Sequence, residues 1–550
     1  MNIDIFKSTP VLSELLRKRG IEGDAELEEF LSPSPKLAYD PFLLANMHAG
    51  VDLLLDAIYS GSKIVIYGDY DCDGVTSTAL LMKVIGSLTD NVTYYIPSRL
   101  DEGYGLNKSA IDQIYQDEGE VIVTVDCGSV SAEEVAYANS LGIETIVTDH
   151  HTIKDVIAPG IVINPKAPED TYPFKGLAGV GVAYKLALAL SRNCEIPRSL
   201  ITEVLELVAV GTIGDVMPLT DENRSLVKYG LRLMRLGFKN KGLRRLAELS
   251  GVDYNNITST NVAFSLVPRI NAAGRLGDAS LGVRALLSDD DDEVERLCTK
   301  LMETNAKRRE LQQEAFENCI SLVDDELEKG DFIMIEADHA HEGILGIVAG
   351  NLKERYNRPV VIVSPNDGLL KGTGRSIEGI DLYSLLNRHS EYFVKFGGHK
   401  AACGFTMETE NLEKLRTSLN EDVAGLLADN EKLFDKTIEA DMDIIVPDTS
   451  IELARALELF APFGAGNPEP VFRFEKAQVV DWKFLSDNKH ARFSVMQHGS
   501  AIQCIMFNKA MDVYSLIASN KPLTVYGVMD INRWKDRENV QIRVLDIEEA

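Results

Sequence analysis

The chain has 550 residues, of which 45% are hydrophobic and 26% are charged, and its formal net charge is −29. This length is enough for about three or four domains of ordinary size, and no apolar stretch approaches the ~20 residues that a membrane span needs. The composition therefore indicates a globular protein without a membrane anchor, and the net acidic charge argues against nucleic-acid binding over the whole surface.

Seven cysteines are scattered along the chain without a CxxC pair. An odd, sparse set of this kind fits a reducing compartment and argues against a disulfide or zinc framework. The opening residues 1–7 lack the basic region and apolar run of a signal peptide. We therefore expect a cytoplasmic protein.

Residues 1–40 predict a small helical lead-in that ends near Pro33 and Pro35. From 41 to 283, short β-branched runs alternate with helical stretches, and this alternation predicts an α/β domain with a mainly parallel sheet. The strand-like runs are Ile64–Tyr67, Val92–Ile96, Val121–Val125, Thr145–Thr148 and Ile161–Ile163.

Acidic residues and histidines stand directly after four β-branched runs of this domain, at 63–67, 121–125, 145–148 and 209–213. Residues just past the carboxyl ends of parallel strands converge in one crevice. So many carboxylates cannot share a pocket in ionised form without cations, and the sequence therefore predicts a site for two metals. The predicted pocket holds Asp69, Asp71, Asp73, Asp126, Asp149, His150, His151 and Asp215.

Oxygen ligands with one or two imidazoles favour Mn²⁺ or Mg²⁺, whereas zinc prefers sulfur and nitrogen. We expect the three alternating aspartates of the first loop to point to one side and Asp126 to bridge the ions. Two ions about 4 Å apart can activate a water and stabilise the leaving oxygen in phosphoryl transfer. Any one of these residues could instead cap a turn or a helix. Cys72 and Cys127 are interpreted as packing side chains rather than ligands.

Between Arg224 and Arg245 the chain has eight basic residues and no acidic one. Two interpretations remain open: a solvated helix face, or a stripe that attracts phosphates. The five residues that share one helical face are Arg224, Lys228, Arg232, Arg235 and Lys239.

Residues 284–329 contain no proline, and they predict a long connecting helix with an acidic amino end at Asp289–Glu293. A second, smaller α/β unit is expected over 330–432. From 433 to 550, five short strand patterns replace helices and predict a small β-barrel of the oligonucleotide-binding (OB) type.

The chain resembles the DHH phosphoesterases in four motifs, GDYDCDGVTSTAL (68–80), VTVDCG (123–128), VTDHH (147–151) and GDVMPL (214–219). Five later motifs extend the resemblance to the RecJ-like single-strand-specific exonucleases. These are PRINAAGRL (268–276), HEGILGIVAGNL (341–352), GTGRS (372–376), FGGHKAACGF (396–405) and APFGAGNPEPVF (461–472). The resemblance implies a DHH-type catalytic domain over 41–283, a DHHA1-like substrate-binding domain over 330–432 and a single-strand-binding OB-like domain over 433–550.

The resemblance also implies roles for individual residues. Metal-ligand positions match Asp71, Asp73, Asp126, His150 and Asp215. Catalytic positions beside the metals match Asp69, Asp149 and His151. Phosphate-binding and nucleic-acid-facing positions match Arg99, Arg269, Thr373, Arg375, Ser376, Gly397, Gly398 and His399.

By this resemblance we expect a two-metal, Mn²⁺- or Mg²⁺-dependent 5′→3′ exonuclease that degrades single-stranded DNA to mononucleotides in DNA repair and recombination. The implied partners are a RecQ-like helicase and single-strand-binding protein, and the chain is expected to be a monomer. Two alternatives are a phosphodiesterase for short oligonucleotides or cyclic dinucleotides, and a non-catalytic single-strand-binding scaffold.

The barrel region interleaves aromatic with basic residues, a composition suited to stacking on bases. We expect only two or three of the aromatics to face DNA and the others to form the barrel core. The aromatics are Trp482, Phe484, Phe493, Phe507, Tyr526 and Trp534.

Overall fold

The computed structural model describes residues 4–32, 38–99, 102–153, 156–338, 340–366, 368–486, 488–511, 513–534 and 537–550. Pro33 and Pro35, where the lead-in was expected to end, lie outside these residues, as does the side chain of Trp534. None of the helices in the described ranges combines the length and apolar character that a membrane crossing requires.

The lead-in folds into short helices, α1 (Asp4–Ser8), α2 (Pro10–Lys18) and α3 (Asp24–Leu31). Their buried side chains, such as Phe6 and Leu15, join the same hydrophobic cluster as Phe460 and Phe472 near the other end of the chain. The lead-in therefore packs on the C-terminal barrel, a contact that the sequence did not predict.

The catalytic domain has a five-stranded sheet in the order β2-β1-β3-β4-β5, and every neighbouring pair is parallel. This confirms the predicted parallel sheet. Its elements are α4 (Met47–Ser60), β1 (Ile64–Tyr67), α5 (Cys72–Gly86), β2 (Val92–Tyr95), α6 (Lys108–Gln116), β3 (Val121–Val125), α7 (Ala132–Ser140), β4 (Glu144–Thr148), β5 (Ile161–Ile163), α8 (Gly179–Leu190), α9 (Arg198–Glu203), α10 (Leu205–Gly214), α11 (Asp221–Arg235), α12 (Lys241–Leu249), α13 (Ser259–Asn261), α14 (Val267–Leu276) and α15 (Ser280–Leu287), with a π-helical turn at Val262–Leu266.

The prediction of a strand before Asp215 is wrong, because that run belongs to helix α10. Residues 205–213 are all buried, and α10 packs against α5, α8 and α11. A run that is apolar on every side has no period that distinguishes a buried strand from a buried helix. Asp215 therefore reaches the crevice from the carboxyl end of a helix.

The predicted connecting helix is confirmed as α16 (Asp291–Leu327), which has 37 residues. The Asp290 carboxylate caps it by accepting the N–H of Glu293 at 2.7 Å, and acidic residues fill its first turn, where they favour the helix dipole. Residues 284–287 of the expected range instead end α15.

The second α/β unit has a five-stranded mixed sheet in the order β6-β7-β8-β10-β9. Strands β6 and β7 pair in parallel, whereas the later strands pair antiparallel. Its elements are β6 (Ile333–Glu336), α17 (Glu342–Tyr356), β7 (Val360–Asn366), β8 (Leu369–Arg375), α18 (Leu382–Asn387), β9 (Phe393–His399), β10 (Ala402–Met407) and α19 (Leu412–Asp429).

The C-terminal unit confirms the predicted barrel: β12, β13, β14, β16 and β15 are neighbours in that order, and β15 pairs back onto β12. Phe472, Phe474 and Phe493 fill its buried core. Its elements are β11 (Met442–Asp443), α20 (Ile451–Glu458), β12 (Val471–Leu485), β13 (His490–Gln497), β14 (Ser500–Met506), α21 (Tyr514–Ala518), β15 (Pro522–Trp534) and β16 (Arg537–Glu549).

Two basic residues of α11, Arg224 and Lys228, join parts of the molecule. The buried Arg224 guanidinium donates to the carbonyl oxygens of Phe460 at 2.8 Å and Phe30 at 3.2 Å. Lys228 donates to the Phe30 carbonyl at 3.0 Å, and Arg235 donates to a backbone carbonyl of its own domain. For Arg224 and Lys228 both interpretations of the basic run are wrong, because their donors serve carbonyl groups, whereas the Arg235 side chain remains exposed.

Candidate metal centre and nucleic-acid interface

The first acidic loop feeds directly into helix α5. Asp71 caps this helix, and its Oδ1 accepts the N–H groups of Asp73 at 2.9 Å and Gly74 at 3.1 Å. Asp73 lies in the first helical turn, so the expectation of three alternating aspartates on an extended loop is wrong. The loop supplies Asp69 and Asp71, and the helix supplies Asp73.

Asp73 is fixed by the amino end of α8. Its two carboxylate oxygens accept the N–H of Gly179 at 2.7 Å and of Val180 at 2.8 Å. A helix amino end favours negative charge, which helps to hold this completely buried carboxylate.

His150 stands at the centre of the acidic residues. Its Nε2 lies 3.1 Å from Asp126 Oδ1, 3.5 Å from Asp215 Oδ2 and 3.9 Å from Asp73 Oδ2. The structure thus brings together side chains from the loops after β1, β3 and β4, from α5 and from the end of α10.

Three groups of potential ligand atoms are found among the described residues, and the atoms of each group lie within 4.8 Å of one another. Asp126 belongs to two of these groups, as expected for a bridging carboxylate, and His150 also belongs to two. Asp149 belongs to none of the three. The groups are Asp73, His150 and Asp215; Asp69, Asp71 and Asp126; and Asp126, His150 and His151.

Several buried polar atoms of this centre have no hydrogen-bond partner among the described residues. They are Asp69 Oδ1, Asp126 Oδ1 and both ring nitrogens of His150. Asp126 also has a φ of 63°, a left-handed conformation that is uncommon outside glycine and often found at functional sites. Oxygen atoms with an imidazole and no internal partner fit hard divalent cations such as Mn²⁺ and Mg²⁺.

The negative charges of the aspartates in this centre repel one another. Burial, followed by the charge of a neighbouring aspartate, raises the pKa of Asp69, Asp73 and Asp126 well above the ordinary value. Burial and the Asp71 charge raise the pKa of Asp215 to about 7. Burial lowers the pKa of His150 to about 3, so this ring is neutral, which is the form that binds metals.

Asp149 holds the loop after β4 that carries His150 and His151, which we call the histidine loop. Its Oδ2 accepts the N–H of Ser129 at 2.9 Å, and its Oδ1 lies 2.8 Å from His151 Nδ1. Burial would raise the pKa of Asp149, but the His151 contact outweighs burial and the pKa is lowered. Burial likewise opposes the charge of His151, yet Asp149 raises its pKa to about 9. The pair therefore fixes the His151 ring at the crevice.

Tyr104 is a site residue that the sequence did not indicate. Its hydroxyl lies 3.1 Å from His151 Nδ1 and donates to the Asp126 carbonyl oxygen at 3.3 Å. It belongs to the segment that follows β2, and its only sequence signal was its place in IPSRLDEGYG (96–105).

A cluster of arginines lies next to the acidic centre, and no described carboxylate lies within 4.0 Å of its members. Burial, followed by the charges of Arg99, Arg308 and Arg375, lowers the pKa of Arg275 to about 10. The Nε atoms of Arg269 and Arg308 are buried without a hydrogen-bond partner among the described residues. The cluster consists of Arg99, Arg269, Arg275, Arg308 and Arg375.

Arg275 and Arg308 were not predicted. Arg275 lies within the PRINAAGRL motif, six residues after Arg269, and its Nη1 donates to the Gly343 carbonyl at 3.1 Å. A Cβ at Gly343 would come 2.2 Å from the Arg275 carbonyl oxygen, so α14 and α17 approach closely only because this residue is glycine. Arg308 comes from the middle of α16, where its charge resembled that of any solvated helix residue.

The predicted phosphate pocket lies at the end of β8. A Cβ at Gly346 would come 2.9 Å from Arg375 Nη2 and 3.5 Å from Thr373 Oγ1, which shows how closely α17 covers both side chains. The Ser376 hydroxyl is buried without a described partner. Two of the predicted phosphate-binding residues, Thr373 and Arg375, therefore lie together beneath α17.

The GGH loop adjoins this pocket. Gly397, Gly398 and His399 are exposed at the end of β9, and the Ser376 N–H donates to the Ala401 carbonyl at 3.0 Å. The φ of Gly398 is 146°, and a Cβ there would come 2.4 Å from the Ala402 carbonyl oxygen.

Two predicted barrel aromatics, Trp482 and Phe507, are exposed, and Phe493 belongs to the core, as expected for part of the set. Tyr514, which the sequence did not indicate, forms an aromatic triangle with Trp482 and Phe484, with ring centroids 5.6 to 5.8 Å apart. Tyr526 is half-buried and its hydroxyl donates to Glu548 at 2.6 Å.

The chain matches three protein-domain families: the DHH family, N-terminal domain, over residues 63–212; the DHHA1 domain over 330–425; and the RecJ OB domain over 440–546. Over 98% of its length it is 36% identical to the single-stranded-DNA-specific exonuclease RecJ of Bacillus subtilis, of which it spans 68%. The corresponding protein of Escherichia coli is 34% identical over 98% of the chain, which spans 96% of that protein.

Solved structures agree with these matches. The crystal structure of RecJ in complex with Mn²⁺ from Thermus thermophilus has a TM-score of 0.84 at 29% identity, and the match covers 100% of this chain and 77% of that one. A structure of exonuclease RecJ bound to manganese is 35% identical with a TM-score of 0.61, and that match covers 69% of this chain and 95% of the other.

Proposed function

The chain belongs to the RecJ family of single-stranded-DNA-specific exonucleases, and we propose that it hydrolyses single-stranded DNA in the 5′→3′ direction to mononucleotides, with two Mn²⁺ or Mg²⁺ ions, in DNA repair and recombination. This proposal rests on one observation: the acidic centre, which suits cations, lies directly beside the arginine cluster, which suits phosphates. The loop between Asp69 and Asp71 joins them, because the Arg99 guanidinium lies over the Tyr70 ring, 5.2 Å from its centroid.

The groups of potential ligand atoms indicate which residues would hold each of the two ions. We assign one ion to Asp73, His150 and Asp215, and the other to Asp69, Asp71 and Asp126, with Asp126 shared between them. This assignment adds Asp69 to the ligands that the family resemblance implied. When bound, two divalent ions at such a centre raise the acidity of a water and stabilise the departing 3′ oxygen.

Asp149 and His151 act on the leaving group in this proposal. The Asp149 carboxylate, held by backbone N–H groups, accepts a hydrogen bond from His151 and sets the direction of its ring. His151 then stabilises the charge that develops on the 3′ oxygen, or donates a proton to it. Tyr104 contacts the same ring, with its hydroxyl 3.1 Å from Nδ1 and 3.4 Å from Nε2.

The arginine cluster binds the end of the strand. Guanidinium groups match phosphates in a fork geometry, and a cluster without carboxylate partners needs an external anion to balance its charge. We place the 5′ phosphate beside Thr373, Arg375 and Ser376, with Arg99 and Arg275 between this pocket and the metals. A strand fixed by its end loses one nucleotide at a time.

The barrel and the partners complete the proposal. Exposed aromatics such as Trp482 stack on bases without regard to sequence, which suits a nuclease for unpaired strands. By family resemblance we also propose a cytoplasmic monomer that receives its strand from a RecQ-like helicase and from single-strand-binding protein.

The proposal is tested by digesting a 5′-labelled and a 3′-labelled single strand with Mn²⁺, beside a blunt duplex. We expect the 5′ label to appear at once as mononucleotide, the 3′-labelled strand to shorten progressively, and the duplex to persist. Initial release from the 3′ end, internal cuts, or cleavage restricted to dinucleotides would each overturn it. The last result would instead favour an oligonucleotide phosphodiesterase.

A further inference from the structure

Lys166 is a basic residue beside the acidic centre, where its charge and that of Asp215 act on each other. It lies three residues after β5, the strand at one edge of the parallel sheet. The acidic residues follow the central strands β1, β3 and β4, and Arg99 follows β2 at the opposite edge. The crevice therefore has a basic residue at each edge, with the metal ligands between them.

The turn that carries Lys166 is tied to the histidine loop by one buried side chain. Asn164 Nδ2 donates to the His151 carbonyl oxygen and to Ser129 Oγ, each at 2.9 Å. Asn164 Oδ1 accepts the Lys166 N–H at 2.8 Å. Because Asn164 is completely buried, the backbone of Lys166 is held in a fixed relation to His151.

The Lys166 ammonium has no partner among the described residues, and no described carboxylate lies within 4.0 Å of it. The charges that face it from neighbouring elements are Asp215 at the end of α10 and Asp149 after β4, together with the His150 ring. Burial of the side chain outweighs these carboxylates and lowers its pKa. Lys175, on the same connection, instead donates to Asp170 Oδ1 at 3.2 Å.

A partly buried ammonium without a hydrogen-bond acceptor is unfavourable unless a ligand supplies one. The carboxylates that face it belong to the cation centre or to the Asp149–His151 pair, so they are engaged elsewhere. A phosphate oxygen of a bound DNA strand would supply the missing acceptor. A compact ammonium suits one non-bridging oxygen, whereas the fork of an arginine suits a terminal phosphate.

We propose that Lys166 is a catalytic residue that contacts the scissile phosphate from the β5 edge, opposite the arginines that hold the 5′ end, and that Asn164 is its positioning residue. This inference rests on the proposed nuclease function. Arg99 follows β2 and Lys166 follows β5, the two edge strands of the sheet, and neighbouring β-strands are about 4.8 Å apart. Single-stranded DNA that runs from Arg99 across the metal centre therefore brings its scissile phosphate towards Lys166.

The test compares Lys166→Ala and Lys166→Arg with Lys108→Ala, a matched control on the exposed surface of α6 in the same domain. Three quantities are measured: the single-turnover cleavage rate with Mn²⁺, the affinity for single-stranded DNA in EDTA, and Mn²⁺ uptake by calorimetry. For Lys166→Ala we expect a rate about 100-fold lower, as for other lost transition-state donors. The DNA affinity and Mn²⁺ uptake should match those of the unsubstituted protein, and Lys166→Arg should recover part of the rate.

Three results would overturn the inference: an unchanged cleavage rate in Lys166→Ala, a loss of DNA affinity as large as the loss of rate, or a loss of Mn²⁺ uptake. The second would make Lys166 a ground-state phosphate contact, and the third would place it in the metal centre. An unsubstituted protein that does not cleave single strands would contradict the proposed function itself.

Discussion

The acidic centre and the arginine cluster are adjacent regions of opposite charge, and within each region the like charges repel one another. In the acidic centre, Asp73 and Asp126 are almost completely buried, and its groups come from a single domain. The arginines come from the catalytic domain, the connecting helix and the DHHA1 unit, so the cluster lies where these parts meet. A site for small fixed cations can be closed, whereas a site for a long polyanion must stay open along its length.

Both regions are unfavourable in the absence of their ligands, since like charges in a low-dielectric setting destabilise one another. Each ligand therefore removes a repulsion as well as adding a contact. The comparison predicts that substitutions in the two regions affect different measurements: metal uptake in the first, and salt-dependent DNA affinity in the second.

The largest effect is expected for Asp126→Asn, which keeps the shape and the tolerance of a left-handed φ but removes the shared ligand charge. The cleavage rate should fall by about a thousandfold or more, because several kcal/mol of transition-state stabilisation depend on the metals. Mn²⁺ uptake should fall as well. The metal-free variant should melt at a higher temperature than the metal-free parent, since an unpartnered buried carboxylate is gone.

Asp117→Asn, at an exposed position directly after α6, is the matched control and should leave rate, uptake and melting temperature unchanged. Normal Mn²⁺ uptake by Asp126→Asn would contradict the shared-ligand assignment.

A smaller loss is expected for Asp149→Asn, because Asp149 positions His151 and belongs to none of the ligand groups. The amide cannot accept all the hydrogen bonds that the carboxylate accepts, so His151 loses its fixed direction. The rate should fall about 10- to 100-fold, as for other residues that orient a metal site, and calorimetry should show Mn²⁺ binding that matches the parent. Abolished Mn²⁺ binding would instead make Asp149 a ligand.

Arg275→Met tests the other region. Losing one charged contact to a phosphate should weaken single-strand binding in EDTA by about tenfold. The slope of log affinity against log salt should become shallower by about 0.7. Arg284→Met, on the exposed face of α15, is the control. An unchanged salt slope in Arg275→Met would mean that this partly buried arginine supports the domain junction without contacting DNA.

No change in DNA affinity is expected for Arg224→Met, since the donors of that guanidinium serve carbonyl groups of the lead-in and of the segment before the barrel. The free energy of unfolding should fall by about 3 kcal/mol, because buried carbonyls lose charged donors. Chemical denaturation and DNA binding measured on the same preparation separate the two effects. Weaker DNA binding at unchanged stability would revive the phosphate stripe as an interpretation.

Sequence patterns alone predicted the parallel sheet, the connecting helix, the barrel and most of the acidic centre. These features are local: β-branched runs, an acidic helix start, and residues placed directly after strands, all of which depend on neighbours in the chain. Asp69, Asp126 and His150 could be grouped because parallel strands bring their carboxyl ends to one edge of the sheet.

Which elements meet across long separations depends on packing, and no sequence pattern predicted it. The α10 run is apolar on all sides, so only its packing made it a helix and brought Asp215 to the centre by that route. The proposed roles of three basic residues depend on neighbours that are distant in the chain or several elements away; these residues are Arg275, Arg308 and Lys166. The charge of a side chain can be read from the sequence. Whether that charge is paired, buried or free depends on packing between distant segments, which no local pattern predicts.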